Sequence, residues 1–366
     1  MKIGNVEIKN RIVMCPMGGT SLFGWFELTG CGFDKEAAKL FLERANNNVG
    51  LIIPGIAPLR DTFWGKWLWQ NPKMFEELKV FMDEIHKTGA KLFIQLTAGM
   101  GRSWAITELV GPLHKNKITR AILKPILDTS HELACPSPQP ARWAEDIICP
   151  EMTVEQIHEI IEAFAKTAKL CKEAGVDGVE VHAVHEGYLL DQFAIEFFNK
   201  RTDEYGGSLE NRIRIIREVY AAVREAVGAD YVVAVRYGGC DYMEGGSTIE
   251  DAVAGAKILA ADGVDAAFVF SSWDTHTEIA VYAMRKGIAV ACEVGCEYTL
   301  ANCFELVKTQ EETGTPYMFM ENCCYGKEEL MTTALVRDGK LGTIVHCHGA
   351  YAHDLRSEVS CGNIKR

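Results

Sequence analysis

The stretch Gly178-Val-Glu-Val-His182-Ala-Val-His185-Glu-Gly-Tyr188-Leu-Leu-Asp-Gln192 decides the fold of this chain. Its opening, residues 176–182, is rich in valine and follows Gly175, which ends a predicted helix. A valine-rich run in this setting predicts a buried parallel strand. The phrase at 174–181, Ala-Gly-Val-Asp-Gly-Val-Glu-Val, nearly repeats at 262–269 as Asp-Gly-Val-Asp-Ala-Ala-Phe-Val. Both copies predict a helix end, a turn and a strand.

The same alternation of strand and helix extends outward in both directions. Strands are predicted before residue 271 at 12–17, 49–55, 91–96, 176–182, 231–236 and 264–270. Helices are predicted between them at 34–46, 73–88, 153–174, 209–227 and 247–262, two of them opened by the capping boxes Thr153-x-x-Gln156 and Ser247-x-x-Glu250. This pattern predicts a parallel sheet with helices outside it.

An eight-stranded (β/α) barrel of the TIM type needs two strands more than these six. The segments 288–293 and 317–321 have strand-like composition and a predicted helix, 298–313, between them. Neither is followed by an obvious glycine-rich loop. We therefore expect this part to pack as a separate βαβ unit or to close the barrel only imperfectly.

The stretch 99–150 carries several prolines and little periodicity. A long irregular connection is usually functional or disordered. Following the third strand, it predicts either a lid over the mouth of a barrel or a plain surface excursion.

Two histidines and a tyrosine mark the end of the central strand. The carboxyl ends of barrel strands carry catalytic groups. His182 and His185 can donate two N–H bonds to one oxygen and so stabilise an enolate, and the Tyr188 hydroxyl can deliver a proton to the neighbouring carbon. Ordinary polar loop residues are the plain alternative. A metal pair is disfavoured because no nearby Cys or carboxylate supplies an obvious third ligand.

Composition narrows the class of protein. The chain has 366 residues, is 48% hydrophobic and carries a formal charge of −12. That charge, with no basic run, argues against nucleic acid or anionic lipid as partner. No apolar stretch is long enough to span a bilayer, the N-terminus is not a signal peptide, and the 13 cysteines lack a Cys-x-x-Cys pair. These features predict a cytoplasmic protein with reduced thiols and no metal centre.

A second motif, Arg201-Thr-Asp-Glu-Tyr-Gly-Gly-Ser-Leu-Glu-Asn-Arg212, follows the first. Together the two motifs closely resemble the Old Yellow Enzyme family of FMN-dependent ene-reductases, and the resemblance covers residues 2–270. It implies an FMN-binding β/α barrel over residues 1–270 that lacks the family's last two strands, whose glycine-rich loops hold the flavin phosphate.

The resemblance also implies a flavin site. Cys15, Pro16 and Met17 match the turn after strand one, and Pro54 and Gly55 match backbone contacts with the isoalloxazine ring.

Two side chains complete the implied cofactor site. Gln95 matches the glutamine at the flavin pyrimidine edge, and Arg236 matches the arginine near N1 and the C2 carbonyl. Taken singly, either could be a buried polar group satisfied inside a barrel.

The implied reaction has two halves. NADH or NADPH reduces FMN, and hydride then passes to an enone or enoate whose oxygen is held by His182 and His185, with protonation by Tyr188 or water. In this sequence Glu186 separates His185 from Gly187, where many members run His-Gly-Tyr, so the approach to Tyr188 departs from the family pattern.

Residues 271–356 resemble another family. Segments at 271–294, 315–326 and 349–356 are similar to Gfo/Idh/MocA oxidoreductases and to family 109 glycoside hydrolases, which retain NAD. That resemblance implies a Rossmann-type α/β segment over 271–366, with Glu321 as a site carboxylate and Tyr351 as a site tyrosine. The Gly-x-Gly-x-x-Gly turn for a dinucleotide is missing. The chain is thus predicted to be a chimera.

Three functions follow in order of preference. The first is an FMN-dependent NAD(P)H:ene oxidoreductase acting on a small molecule. The others are an NAD-dependent glycosidase-like protein, and an inactive truncated barrel that binds partners. An open sheet edge would favour association into a homo-oligomer.

Overall fold

A computed structural model describes residues 2–17, 20–24, 32–107, 110–185, 188–239, 241, 244–264, 266–270, 276–293, 299–320 and 327–346. The chain divides into two compact units, Met1–Phe319 and Met320–Arg366. The first unit holds nearly all the described secondary structure. The second contains one described helix. None of the described helices is long and apolar enough to cross a membrane.

Strands and helices alternate along most of the chain. The strands are β1 (Lys2–Ile3), β2 (Val6–Glu7), β3 (Val13–Met14), β4 (Leu51–Ile52), β5 (Ala57–Pro58), β6 (Lys91–Thr97), β7 (Gln139–Ala141), β8 (Ala144–Cys149), β9 (Gly178–Ala183), β10 (Val232–Gly238), β11 (Ala266–Phe270), β12 (Ala289–Glu293) and β13 (Tyr317–Met320). The helices are α1 (Lys35–Asn46), α2 (Pro72–Lys87), α3 (Val110–Lys115), α4 (Lys117–Leu123), α5 (Thr129–Glu132), α6 (Val154–Glu173), α7 (Leu189–Ala194), α8 (Leu209–Arg212), α9 (Arg214–Val227), α10 (Ile249–Ala261), α11 (His276–Arg285), α12 (Leu300–Thr313) and α13 (Lys327–Arg337).

One curled sheet organises the first unit. Its strand order is β13-β12-β11-β10-β9-β6-β4-β3, with β5 beside β6. The strand pairs from β3 to β12 are parallel. Strand order therefore follows chain order, which is the arrangement of a β/α barrel. All six strands predicted before residue 271 are present.

The two faces of the sheet differ because side chains alternate along a strand. Val179 and Val181 of β9 belong to the same buried cluster as Leu78 of α2, Phe164 of α6 and Val219 of α9. The outer face is thus a core shared with the helices. Residues of the opposite parity point to the inner face of the sheet, where the predicted site lies.

The sheet continues past residue 270. Strand β12 pairs with β11 in parallel, with Ala289 opposite Ala266. A second buried cluster joins Val253 of α10 to Met284 of α11 and Val290 of β12. The expectation of a separate βαβ unit is therefore wrong, because strand β12 finds its hydrogen-bond partners on β11.

The other expectation was that the barrel closes only imperfectly. The strand order of the sheet agrees with it. Strands β3 and β13 are its two ends, and they do not pair within the described residues. The first unit is a curled half-barrel. A Rossmann-type origin for residues 271–366 is not confirmed, and the domain boundary at residue 270 stays a prediction.

The stretch 99–150 is more ordered than its sequence indicated. It contains α3, α4, α5 and the antiparallel pair β7–β8. Its residues share a small core of their own that includes Trp104, Leu133, Cys135, Ile147 and Cys149. These residues are far apart in sequence, which is why no periodicity revealed the packing.

Helix starts agree with the capping signals with one shift. Thr153 caps α6 and forms the predicted box with Gln156. The cap of α10 is Thr248, which accepts a hydrogen bond from the Asp251 amide, and not Ser247. The helix predicted at 209–227 is divided at Ile213 into α8 and α9.

Candidate active site

The turns after β3 and β4 form the first part of the site. Thr20 joins them: its hydroxyl donates to the Met17 carbonyl at 2.8 Å, and the Gly55 amide donates to the Thr20 hydroxyl at 3.2 Å. A side chain at residue 55 would collide with the Met17 carbonyl oxygen, so this close approach requires glycine. Pro54 and Gly55 are buried, whereas Met17 is 52% exposed.

The inner face of the central strands forms the second part. Gln95 of β6 lies opposite Glu180 of β9, and Arg236 of β10 lies opposite His182 of β9. All four side chains are buried, Glu180 completely. The Gln95 amide nitrogen donates to Oε1 of Glu180. Polar groups thus line the sheet interior at the level of its carboxyl edge.

The predicted catalytic residues come together at that edge. The ring centroids of His182 and Tyr188 are 4.2 Å apart, and those of His182 and His185 are 5.3 Å apart. His185 has a φ of 63°, a left-handed conformation that is uncommon for a residue with a side chain. Its carbonyl accepts from the Tyr188 amide at 2.8 Å. The rings of His185 and Tyr188 both lie next to the ring of His182.

Both histidines are held neutral. Burial, then the neighbouring His185 and Arg236, lower the pKa of His182 well below 6.5. Partial burial of the His185 ring, and then the charge of Arg236, lower the pKa of His185 to about 4. The residue still keeps an exposed surface. Burial raises the pKa of the Tyr188 hydroxyl, against the Arg236 charge. Near neutral pH the site therefore presents two uncharged imidazoles and a protonated phenol.

The second motif, residues 201–212, supports the segment that carries the catalytic residues. Arg201 is buried and donates to the Met152 carbonyl at 2.6 Å and to the Asp203 carboxylate. Arg212 donates to the Ala194 carbonyl at 2.9 Å, at the end of α7. Both arginines fix the segment that follows the catalytic turn, so the motif has a structural role here.

The sequence predicted most of the residues grouped here, but not Glu180. The chain brings His182, His185, Tyr188 and Arg236 together, and Gln95 joins them through Glu180. Glu180 itself was not singled out. Its signal was a charged residue inside an otherwise valine-rich strand, since charged side chains are rarely buried without partners. Glu321 and Tyr351, along with Glu186, lie outside the described residues.

Comparison with known proteins decides the family. Residues 1–285, most of the chain, match the NADH:flavin oxidoreductase / NADH oxidase family. The chain belongs to that family. The match extends beyond residue 270, where the sequence resemblance was expected to stop. It confirms an FMN-dependent oxidoreductase family of the Old Yellow Enzyme type.

Several relatives of this chain carry more specific names. It is 39% identical over 287 residues to cinnamate reductase of Clostridium sporogenes, covering 73% of this chain and 40% of that protein. It is 34% identical over 269 residues to NADPH dehydrogenase of Listeria monocytogenes, covering 72% and 70%. The chain thus spans about two fifths of the cinnamate reductase and 37% of a metal reductase from Desulforamulus reducens.

A solved structure shares the fold. Old Yellow Enzyme from Pichia sp. AKU4542 matches with a TM-score of 0.64 and 25% identity, over 93% of this chain and 86% of that one. These matches support the half-barrel as a member of the Old Yellow Enzyme group. They do not show the second resemblance, to Gfo/Idh/MocA oxidoreductases or family 109 glycoside hydrolases.

Proposed function

We propose that this chain reduces a carbon–carbon double bond conjugated to a carbonyl, using FMN and NADH or NADPH. The observation that carries the proposal is the grouping of His182, His185 and Tyr188 at the carboxyl edge of the sheet, beside buried Gln95 and Arg236. Family membership implies FMN as cofactor and a reduced nicotinamide as reductant.

The residues present suit a flavin. The Gln95 amide offers both a donor and an acceptor to a pyrimidine edge, and Arg236 offers a permanent positive charge. The turns at residues 15–17 and 54–55 offer backbone at the same edge of the sheet. When bound, FMN takes hydride from the nicotinamide and passes it to the activated alkene.

The chain's own side chains would bind and polarise the alkene. Neutral imidazoles at His182 and His185 donate N–H bonds to the carbonyl oxygen and stabilise negative charge as it develops there. The Tyr188 hydroxyl keeps its proton because its pKa is raised, so it can deliver that proton to the α-carbon. Burial, with a smaller contribution from the charge of Arg236, lowers the pKa of both histidines and keeps these imidazoles neutral.

The experiment begins with the absorption spectrum of the purified chain. A flavin spectrum is expected. Under anaerobic conditions NADPH should bleach it, and an enone or enoate should restore it. Cinnamate is the first substrate to try, because a relative 39% identical is named cinnamate reductase. The H182N and H185N variants should bind flavin but restore colour more slowly. A chain that binds no FMN would refute the proposal.

An inactive half-barrel is the second candidate. The observation that favours it is that β3 and β13 remain unpaired with each other within the described residues. It predicts a colourless protein that scatters light as a homo-oligomer. The glycosidase-like function has no comparable support, since Glu321 and Tyr351 lie outside the described residues.

A further inference from the structure

A carboxyl group lies inside the sheet with no exposure to solvent. Glu180 is central in β9, and its neighbours Val179 and Val181 face the helices. Strand register places Gln95 of β6 on one side of it and Ala234 of β10 on the other. Glu180 thus lies in the inner layer beneath His182, which is two residues further along the strand.

Its two oxygens have different surroundings. Oε1 accepts a hydrogen bond from the Gln95 amide nitrogen. Oε2 is buried and has no hydrogen-bond partner among the described residues. Arg236 acts on Glu180 through its charge, whereas Gln95 acts through a hydrogen bond. A single amide donor is poor compensation for a buried carboxylate, which needs pairing and several hydrogen bonds to remain ionised.

Burial therefore favours the protonated acid. It is the largest influence on the pKa of Glu180 and raises it, against Arg236 and Gln95. In the neutral state Oε1 still accepts from Gln95, and Oε2–H becomes a donor. In the ionised state the negative charge would offset the positive charge of Arg236.

We propose that Glu180 is a positioning residue of the flavin site, present as a neutral carboxylic acid. It orients the Gln95 amide through Oε1 and, being neutral, adds no negative charge beside Arg236, so that both Gln95 and Arg236 can act on the flavin. The inference rests on the proposed function, because it assigns Gln95 and Arg236 to that cofactor.

Glutamine is the informative replacement. In E180Q the amide oxygen can accept from Gln95 and the amide NH₂ replaces the Oε2–H donor, which reproduces the hydrogen bonding of a neutral acid. We expect E180Q to keep wild-type FMN affinity. It should also keep the midpoint potential within about 30 mV, the shift for a tenfold change in a two-electron equilibrium. E180L leaves Gln95 without its acceptor and should weaken FMN binding about tenfold.

A control separates this role from general damage to the core. Thr167 of α6 is fully buried and its hydroxyl also has no hydrogen-bond partner among the described residues, so T167V is a matched buried polar-to-apolar change outside the site. It should leave FMN affinity unaltered. If E180L fails to fold, E180A and the double variant E180A/Q95L replace it: E180A should weaken FMN binding, and E180A/Q95L should bind FMN no more weakly than Q95L alone, because Glu180 acts through Gln95.

A second measurement needs no cofactor. Infrared spectra of the apoprotein at neutral pH, with ¹³C-labelled glutamate, should show a carboxylic acid C=O band that E180Q lacks. Absence of that band, or a raised midpoint potential in E180Q, would identify an ionised Glu180 and overturn the inference. Unchanged FMN affinity in E180L would overturn the positioning role. A wild-type chain that binds no FMN would instead refute the proposed function.

Discussion

Lowering the pH from neutral to about 5 should leave the imidazoles of His182 and His185 uncharged. An ordinary histidine with a pKa of 6.5 is about 97% protonated at pH 5, whereas one with a pKa of about 4 is only about 10% protonated. His182, which is more deeply buried, should be charged even less. We therefore expect the kcat/KM for enone reduction to show no inflection near pH 6.5.

Nuclear magnetic resonance titration of labelled histidines tests this directly, also in the apoprotein. The H182N and H185N variants assign the two signals. Each variant should also lower kcat by about 10²–10³, the usual cost of removing one donor to an oxyanion. A midpoint near pH 6.5 for either ring would show that the surroundings do not suppress its charge, and the reasoning would fail.

Three further predictions concern stability and binding. Glu132 pairs with Arg60 at 2.9 Å, and burial raises its pKa from 4.5 to about 7. Between the ordinary pKa of 4.5 and the raised pKa of about 7, the folded chain holds a proton that the unfolded chain releases. The free energy of unfolding should therefore fall by about 3 kcal/mol as the pH rises through this range. The free energy of unfolding of E132Q, measured by urea titration at each pH, should not show that fall. Parallel pH profiles for E132Q and the wild type would contradict the prediction. G55A should weaken FMN binding, measured by fluorescence, because its methyl meets the Met17 carbonyl, and unchanged affinity would show that the turns do not hold flavin. F164A should lower the free energy of unfolding by about 3–5 kcal/mol in urea, and a much smaller loss would mean that the core collapses into the cavity.

The individual strands and helices of the fold could be predicted from the sequence. Valine-rich runs after helix ends predicted the strands, and Thr153 with Gln156 marked the start of α6. His182 was predicted from its place at the end of the central strand and Arg236 from the family resemblance, and the two lie opposite each other on adjacent strands.

Other features depended on contacts between distant segments. The ordered core of residues 99–150 joins Trp104 to Cys149, which no local pattern relates. Strand β12 has the composition of a strand in any sheet, and only its pairing with β11 shows which sheet it joins. The hydrogen bond that Glu180 accepts comes from Gln95, 85 positions away. Such pairings arise from the folded topology and not from nearby residues.

The two-sided character of β9 limits where this chain can change length. Inserting one residue at the start of β9, before Val179, would turn Glu180 and His182 toward the helices and send Val179 and Val181 into the catalytic layer. An extra residue after the last hydrogen-bonded pair of β9 leaves the orientation of the preceding side chains unchanged. In the sequence, position 186 follows the end of β9 at Ala183. New substrate preferences can therefore arise by lengthening the loops at this rim, while the strand beneath keeps its register.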